Sequence, residues 1–329
     1  CQNNGNAKSN KLIAERSFMN LKETFKKQGG IKLLKQYWQG GALFTGIGQF
    51  LLLGKSRTAL EILRLSTTLK TKQKLEKKYK WKLEEFDKTY IEKEHKTSDT
   101  IWICWFQGME NAPELVKRCY ASVKRNMPDK EIIVITKENM DQYVNFPDHI
   151  LKKWKKGLIT DTKMSDFLRM ELLIRYGGLW MDSTIFLSGP IPDWVYEKDI
   201  FMYAIDDSED ITRVYNNYFI YSKRDYPILK TLRDINYYYW EKENKVRDYF
   251  QWHLFTTLVI PYYKDLFEDI VFMPDAISHM LGKVFFKKYE KGYWETLKKI
   301  TPIHKLSNKY LIPKDYSQTY YEMFKEGKL

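Results

Sequence analysis

The spacing of apolar positions changes character near residue 100. Between residues 8 and 96, apolar side chains recur at helical intervals among charges, as in LIAERSFMNLKETFKKQ and TALEILRLSTTLKTKQKLEKKYKWKLEEF. That spacing predicts amphipathic helices. One stretch inside the region departs from it: GALFTGIGQFLLLG, residues 41–54, has no charged residue. It falls short of the roughly 18 apolar residues of a membrane span and is broken by glycine, so it predicts a buried hairpin of helices or a surface-seeking segment. The polar KEHKTSD at 93–99 marks the end of the helical region.

Beyond it, short apolar runs alternate with helical ones. IWICWF (101–106) predicts a buried strand, QGMENAPELVKRCYASVKRN a turn and a helix from Pro113, and EIIVIT (131–136) a second strand whose Thr136 caps a helix from Lys137. Strand and helix in alternation imply a parallel, doubly wound sheet, whose ligands lie beyond the carboxyl ends of the strands. The chemistry is therefore expected just after Phe106 and Ile135.

TDTKMSDFLRMELLIRYGG (160–178) predicts a helix capped by Thr162, with Phe167, Met170 and Ile174 on its apolar face and Gly177 and Gly178 supplying a left-handed stop. Asp166 and Arg169, three apart, share a face of that helix. The helix turns directly into GLWMDSTIFLS, which predicts an interior strand with Asp182 in its middle. A carboxylate there needs a cation, several hydrogen-bond donors or a hydroxyl-rich ligand. Asp166, Arg169 and Asp182 are accordingly expected to converge.

Charge sharpens the picture. The chain of 329 residues carries a net +13, and residues 1–98 hold 21 Lys or Arg against 9 Asp or Glu, nearly all of the excess. Such a region is attracted to phosphate, on nucleic acid, anionic lipid or a lipid-linked intermediate. The aromatic residues lie in apolar runs and are not interleaved with arginine, which argues against nucleic acid. Cys1, Cys104 and Cys119 form neither a paired disulfide framework nor a C-x-x-C metal spacing, and point to a reducing compartment; Cys1 is read as a truncation point. His95, His149, His253 and His279 lack ligand spacing, His253 and NYYYW (236–240) read as packing, and Asn216 and Asn217 read as an ordinary turn. There is no G-x-S-x-G and no Cys–His pair, and the G-x-G of GALFTGIGQF lacks the strand and third glycine of a dinucleotide fold.

The order IWICWFQGMENAPELVKRC, then SDFLRMELLIRYGGLWMDST, then PIHKL at 302–306, resembles the capsular polysaccharide synthesis group of glycosyltransferases. That group is related to the D-x-D sugar transferases and to the clostridial glucosylating toxins. The resemblance covers about residues 100–310 and leaves the N-terminal helices outside. It implies an α/β GT-A fold over 99–329, Rossmann-like, with a mixed, mostly parallel sheet and helices on both faces, preceded by a basic helical region over 1–98. It also implies retaining transfer of a sugar from a nucleotide-diphosphate donor, with uridine favoured, to a capsular or surface polysaccharide or its lipid-linked precursor. Trp105 would stack on the base beside Gln107, Asp166 and Arg169 would bind sugar hydroxyls, and Asp182 would be the first acid of D-x-D. Ser183 and Thr184 follow it, so the second acid is missing. A Mn²⁺ or Mg²⁺ ion held by Asp182 and Thr184 would need a further ligand, for which His304 is the candidate, with Lys305 reaching a phosphate. The basic region is expected to meet the inner face of a bacterial cell membrane from the cytoplasm. The competing expectations are an inactive transferase-like scaffold and a protein that only binds phosphate or a membrane surface.

Overall fold

The computed structural model describes residues 31–54, 56–86, 98–205, 214–268 and 272–329. Cys1, the first predicted helix at 12–28 and most of the boundary stretch at 93–99 lie outside the described residues. The chain divides into two compact units, one of Cys1–Trp81 with Lys245–Leu254, the other of Lys82–Asn244 with Phe255–Leu329.

The first unit contains α1 (Ile31–Gly40), α2 (Leu43–Leu53) and most of α3 (Arg57–Glu85). Ala59, Leu63, Thr67, Thr71, Leu75 and Tyr79, each four residues from the next, are all buried on α3. A strict four-residue spacing produces one ridge along a helix, the kind that packs into a neighbouring groove. Its two threonines satisfy their hydroxyls on the preceding turn, Thr67 on the Leu63 carbonyl at 2.9 Å and Thr71 on that of Thr67 at 3.0 Å. Gln36 donates to Asp248 at 3.2 Å and Arg247 to the Gln39 carbonyl at 3.3 Å, which ties the 245–254 segment to α1. The uncharged stretch forms α2 as a single helix and leaves Phe44 87%, Leu51 76% and Leu52 81% exposed. The expected buried hairpin is therefore not formed.

The second unit contains β1 (Thr100–Cys104), α4 (Glu114–Asn126), β2 (Glu131–Ile135), α5 (Asp148–Lys155), α6 (Asp161–Tyr176), β3 (Gly178–Met181), β4 (Ile185–Leu187), β5 (Ile200–Ala204), β6 (Tyr215–Ser222), α7 (Pro227–Lys242), most of α8 (Gln251–Val259 as a whole), α9 (Lys291–Ile300), β7 (Ile303–Lys305) and α10 (Tyr320–Lys325). Five strands form one sheet in the order β2-β1-β3-β6-β5, with β1 parallel to β2 and β3, and β6 antiparallel to both β3 and β5. Only β6 therefore opposes the others, which makes the sheet mixed and mostly parallel. Because side chains alternate along a strand, Ile101, Ile103, Leu179, Met181, Phe219 and Tyr221 share a face and a core with Val123 and Met127 at the end of α4. The opposite face carries Trp102, whose ring lies 5.4 Å from that of Tyr176 on α6, and Trp180, under the Arg169 guanidinium at 4.9 Å. Helices thus cover both faces.

Two details position the site. Gly178 has φ +97, and a Cβ there would lie 2.4 Å from the Thr100 carbonyl oxygen, so only glycine lets β3 start this close to β1. From β1 the chain moves outward to β2 and returns on the other side of β1 as β3, which makes the carboxyl ends of β1 and β3 a topological switch point, the place where open α/β sheets form a ligand crevice.

Some boundaries differ from expectation. Thr160, not Thr162, caps α6, accepting from the Lys163 amide at 3.3 Å. Thr136 accepts from the Glu138 amide at 3.2 Å in a turn, and the helical turn there begins only at Met140. GLWMDSTIFLS is not one strand: β3 ends at Met181, the Ile185 amide closes a turn onto the Asp182 carbonyl at 2.9 Å, and β4 joins β7 in a separate antiparallel pair. The turn leaves the carboxylate at the strand's end, where neighbouring cations offset the cost of its burial.

Candidate functional site

Three local rules bring the site together. On α6, Lys163, Asp166 and Arg169 are spaced by three and lie on one face. On β3, the turn after Met181 places Asp182 at the strand's carboxyl end. The β4–β7 pairing sets Lys305 opposite Ile185 and so next to that turn.

The result is a continuous ionic network. Asp166, 7% exposed, accepts from Lys163 Nζ at 2.8 Å and from Asn217 Nδ2 at 2.9 Å. Arg169, 4% exposed, lies between the two acids, 3.5 Å from Asp166 Oδ1 and 3.5 Å from Asp182 Oδ1, and donates to the Asn217 carbonyl at 2.6 Å. Asp182 also accepts from Trp180 Nε1 at 3.1 Å and from Lys305 Nζ at 3.0 Å. The same Lys305 ammonium donates to Thr184 Oγ1 at 2.6 Å and lies 5.5 Å from the centre of the Tyr218 ring. Burial alone would raise the Asp182 carboxyl, but the charges of Lys305 and Arg169 and the hydrogen bonds from Lys305 and Trp180 outweigh it and hold the group below its usual range. Two carboxylates face three cations, so the cluster carries an excess positive charge suited to an anionic ligand.

The expected convergence of Asp166, Arg169 and Asp182 is present, joined by Lys305 and Thr184. Trp105 and Gln107 follow the end of β1 at the switch point; Trp105 is half-buried, and its indole N–H is buried with no acceptor among the described residues. The neighbouring Cys104 thiol is pushed up by burial. Gln107 is exposed and reaches Asp161 Oδ2 at 3.5 Å, outside the ionic network.

His304 is not part of the site. Successive residues of a strand point to opposite faces, and Lys305 takes the one facing Asp182. The imidazole is fully buried between Phe186 and Trp294, with ring centroids at 6.0 and 5.5 Å, and Nε2 pairs with Ser188 Oγ at 2.8 Å. Burial pushes its pKa down to about 3, so it is neutral at ordinary pH. The proposed metal set of Asp182, Thr184 and His304 thus loses its third member, and Thr184 already accepts from an ammonium. Among the described residues no three His, Cys, Asp or Glu are grouped to hold a metal ion. The residues present do not fit a divalent ion, which prefers about six oxygen ligands.

Lys163 and Asn217 were not foreseen in these roles. The three-residue spacing from Lys163 to Asp166 was a usable signal for the first. Asn217, read as a turn residue, lies on β6, where aromatic and β-branched neighbours outweigh the turn preference of asparagine.

The chain is similar to several known proteins. O-glycosyltransferase braB of Annulohypoxylon truncatum is 26% identical over 171 residues, 46% of this chain and 40% of that protein. The chain thus spans less than half the length of this relative. The solved structure of PaToxG Glycosyltransferase aligns with 15% identity and a TM-score of 0.36, over 63% of this chain and 83% of that one. The capsular polysaccharide synthesis protein family matches residues 57–324, taking in all of α3 as well as the sheet, so the match extends beyond the expected residues 100–310 into the N-terminal helices. With most of its length matched, the chain belongs to the family of capsular polysaccharide synthesis proteins.

Proposed function

We propose that the chain is a glycosyltransferase that moves a hexose from a nucleotide-diphosphate sugar, with uridine as the nucleoside, to a growing capsular or surface polysaccharide or its lipid-linked precursor. The observation that carries this reading is the Asp166–Arg169–Asp182–Lys305 network at the carboxyl end of β3. Carboxylates fixed by cations are good acceptors for sugar hydroxyls, and the excess positive charge suits a diphosphate. Trp105 offers an aromatic face for the base at the end of the adjacent strand. In the reaction the bond between C1 and the diphosphate oxygen breaks, its electron pair leaves on that oxygen, and the acceptor oxygen forms the new bond to C1. Asp166 and Asp182 are both held in ion pairs, which weakens either as a nucleophile. That favours a front-face course in which the departing oxygen takes the acceptor proton and configuration is retained. A thermal-shift panel of nucleotide sugars tests the donor class. Uridine diphosphate sugars should raise the melting temperature and their adenosine counterparts should not. Equal silence from the whole panel would refute the reading.

The first unit is proposed as an accessory element that holds the enzyme against an anionic membrane surface, where lipid-linked acceptors reside. No helix among the described residues is long and apolar enough to cross a membrane. α2 instead exposes Phe44, Ile47 and Leu51, at i, i+3 and i+7, within a lysine-rich region. An apolar helix face with basic flanks suits interfacial attachment. Phe44→Ser with Leu51→Ser should weaken the affinity for phosphatidylglycerol vesicles by about a hundredfold or more, since each large side chain adds roughly 1.5–3 kcal/mol when buried. Unchanged co-sedimentation would remove α2 from the proposal.

A further inference from the structure

The resemblance to the D-x-D transferases implies that Asp182 and Thr184 would hold a divalent ion beside the donor diphosphate. Here Lys305 Nζ bridges the two at 3.0 and 2.6 Å. We infer that the Lys305 ammonium is the built-in cation of this site, standing where a divalent ion would stand, so that donor binding and transfer need no metal. The inference rests on the nucleotide-sugar reading above and adds to it what neutralises the diphosphate.

Geometry supports a fixed cation. Lys305 closes the β4–β7 ladder opposite Ile185, and the next amide, Leu306, donates to the Thr184 carbonyl at 3.0 Å, so both ends of the bridge are held by the same backbone pairing. The side chain is only 18% exposed, with the Tyr218 ring beside it. An ammonium has three N–H donors. Two are used by Asp182 and Thr184, which leaves the third for a phosphate oxygen. A divalent ion entering between the two residues would have to displace that ammonium and would find one carboxylate and one hydroxyl. His304, on the opposite face of β7, does not face the bridge.

The chemistry balances without a metal. As the C1–O bond breaks, negative charge grows on the diphosphate oxygen, and Lys305 meets it with a charge-assisted hydrogen bond while keeping its proton. The proton released by the acceptor hydroxyl goes to the departing diphosphate. Lysine serves here as a point charge, the role in which it commonly binds phosphate.

Two measurements on the full chain test this. Mn²⁺ is titrated into metal-free protein with electron paramagnetic resonance of the free ion as readout, and UDP and uridine are titrated calorimetrically in EDTA and in MnCl₂. The wild type should take up no stoichiometric Mn²⁺, and its UDP affinity should agree within about twofold between the two media, because the cation is part of the chain. Lys305→Met should weaken UDP by about ten- to a hundredfold, the usual range for a lost charge-assisted hydrogen bond, and leave uridine nearly unchanged. Uptake of one Mn²⁺ that disappears in Asp182→Asn, or UDP binding only with Mn²⁺, would overturn the inference while leaving the transferase reading intact. A wild type that binds UDP in neither medium would remove that reading and this inference with it. If Lys305→Met fails to fold, the wild-type titrations alone decide.

Discussion

Asp182→Asn should lower kcat/KM for transfer by about a hundred- to a thousandfold, the range observed when one preorganised electrostatic contact to a transition state is removed. Asparagine keeps the shape and one oxygen but loses the charge that holds Lys305 and faces Arg169 at 3.0 and 3.5 Å. Lys305 would then swing on Thr184 alone, and its alignment to the diphosphate would be lost. The effect should fall mainly on kcat, because a misdirected cation hurts the developing charge more than the ground state. The variant should also differ in acid. The Asp182 carboxyl is held below its unfolded value, so the unfolded chain binds its proton first as pH falls. The stabilisation is present in full above the usual carboxylate range and is lost as pH falls through the lowered value. Asp182→Asn has no such term, so its melting temperature should fall less steeply on acidification. Undiminished turnover would show that Asp182 lies outside the chemistry.

Arg169→Met should have the largest effect on stability. The guanidinium is 4% exposed, bridges two carboxylates and serves the Asn217 carbonyl at 2.6 Å. Removing one partner from a buried ionic cluster typically costs about 3–5 kcal/mol, because the remaining charges keep their desolvation cost without their compensation. Lys163 and Lys305 each still hold one acid, which places the expectation at the lower end of that range. A drop in melting temperature of about 5 °C follows, with transfer abolished. Arg169→Lys should recover little, since an ammonium cannot fork to two carboxylates and stack on Trp180 at once. A fall below about 1 °C would mean that the Arg169 guanidinium adds little to stability.

These outcomes depend on features with different visibility in the sequence. The alternation of strand and helix after residue 100, and the meeting of Asp166, Arg169 and Asp182, were legible because helical spacing and strand-end placement are local. The cap of α6 was placed two residues late, at Thr162, because Thr160 offers the same hydroxyl and the local pattern does not tell the two apart. Asn217 was hidden because β6 comes to lie beside β3 only through an antiparallel pairing some forty residues away in the chain, which no local period encodes. His304 and Lys305 show the limit most sharply. Adjacent strand residues face opposite ways, and only the register with β4 decides which one reaches Asp182. The apolar run GLWMDSTIFLS concealed a turn, since residues buried in two different sheets look like one interior strand.

The central claim is that the ionic network receives the donor's diphosphate. The most direct test is a crystal structure of the full chain soaked with UDP. The account predicts a phosphate oxygen within hydrogen-bonding distance of Lys305 Nζ and the uracil against Trp105. A diphosphate bound elsewhere, with Lys305 still bridging Asp182 and Thr184 and no phosphate beside it, would contradict the account.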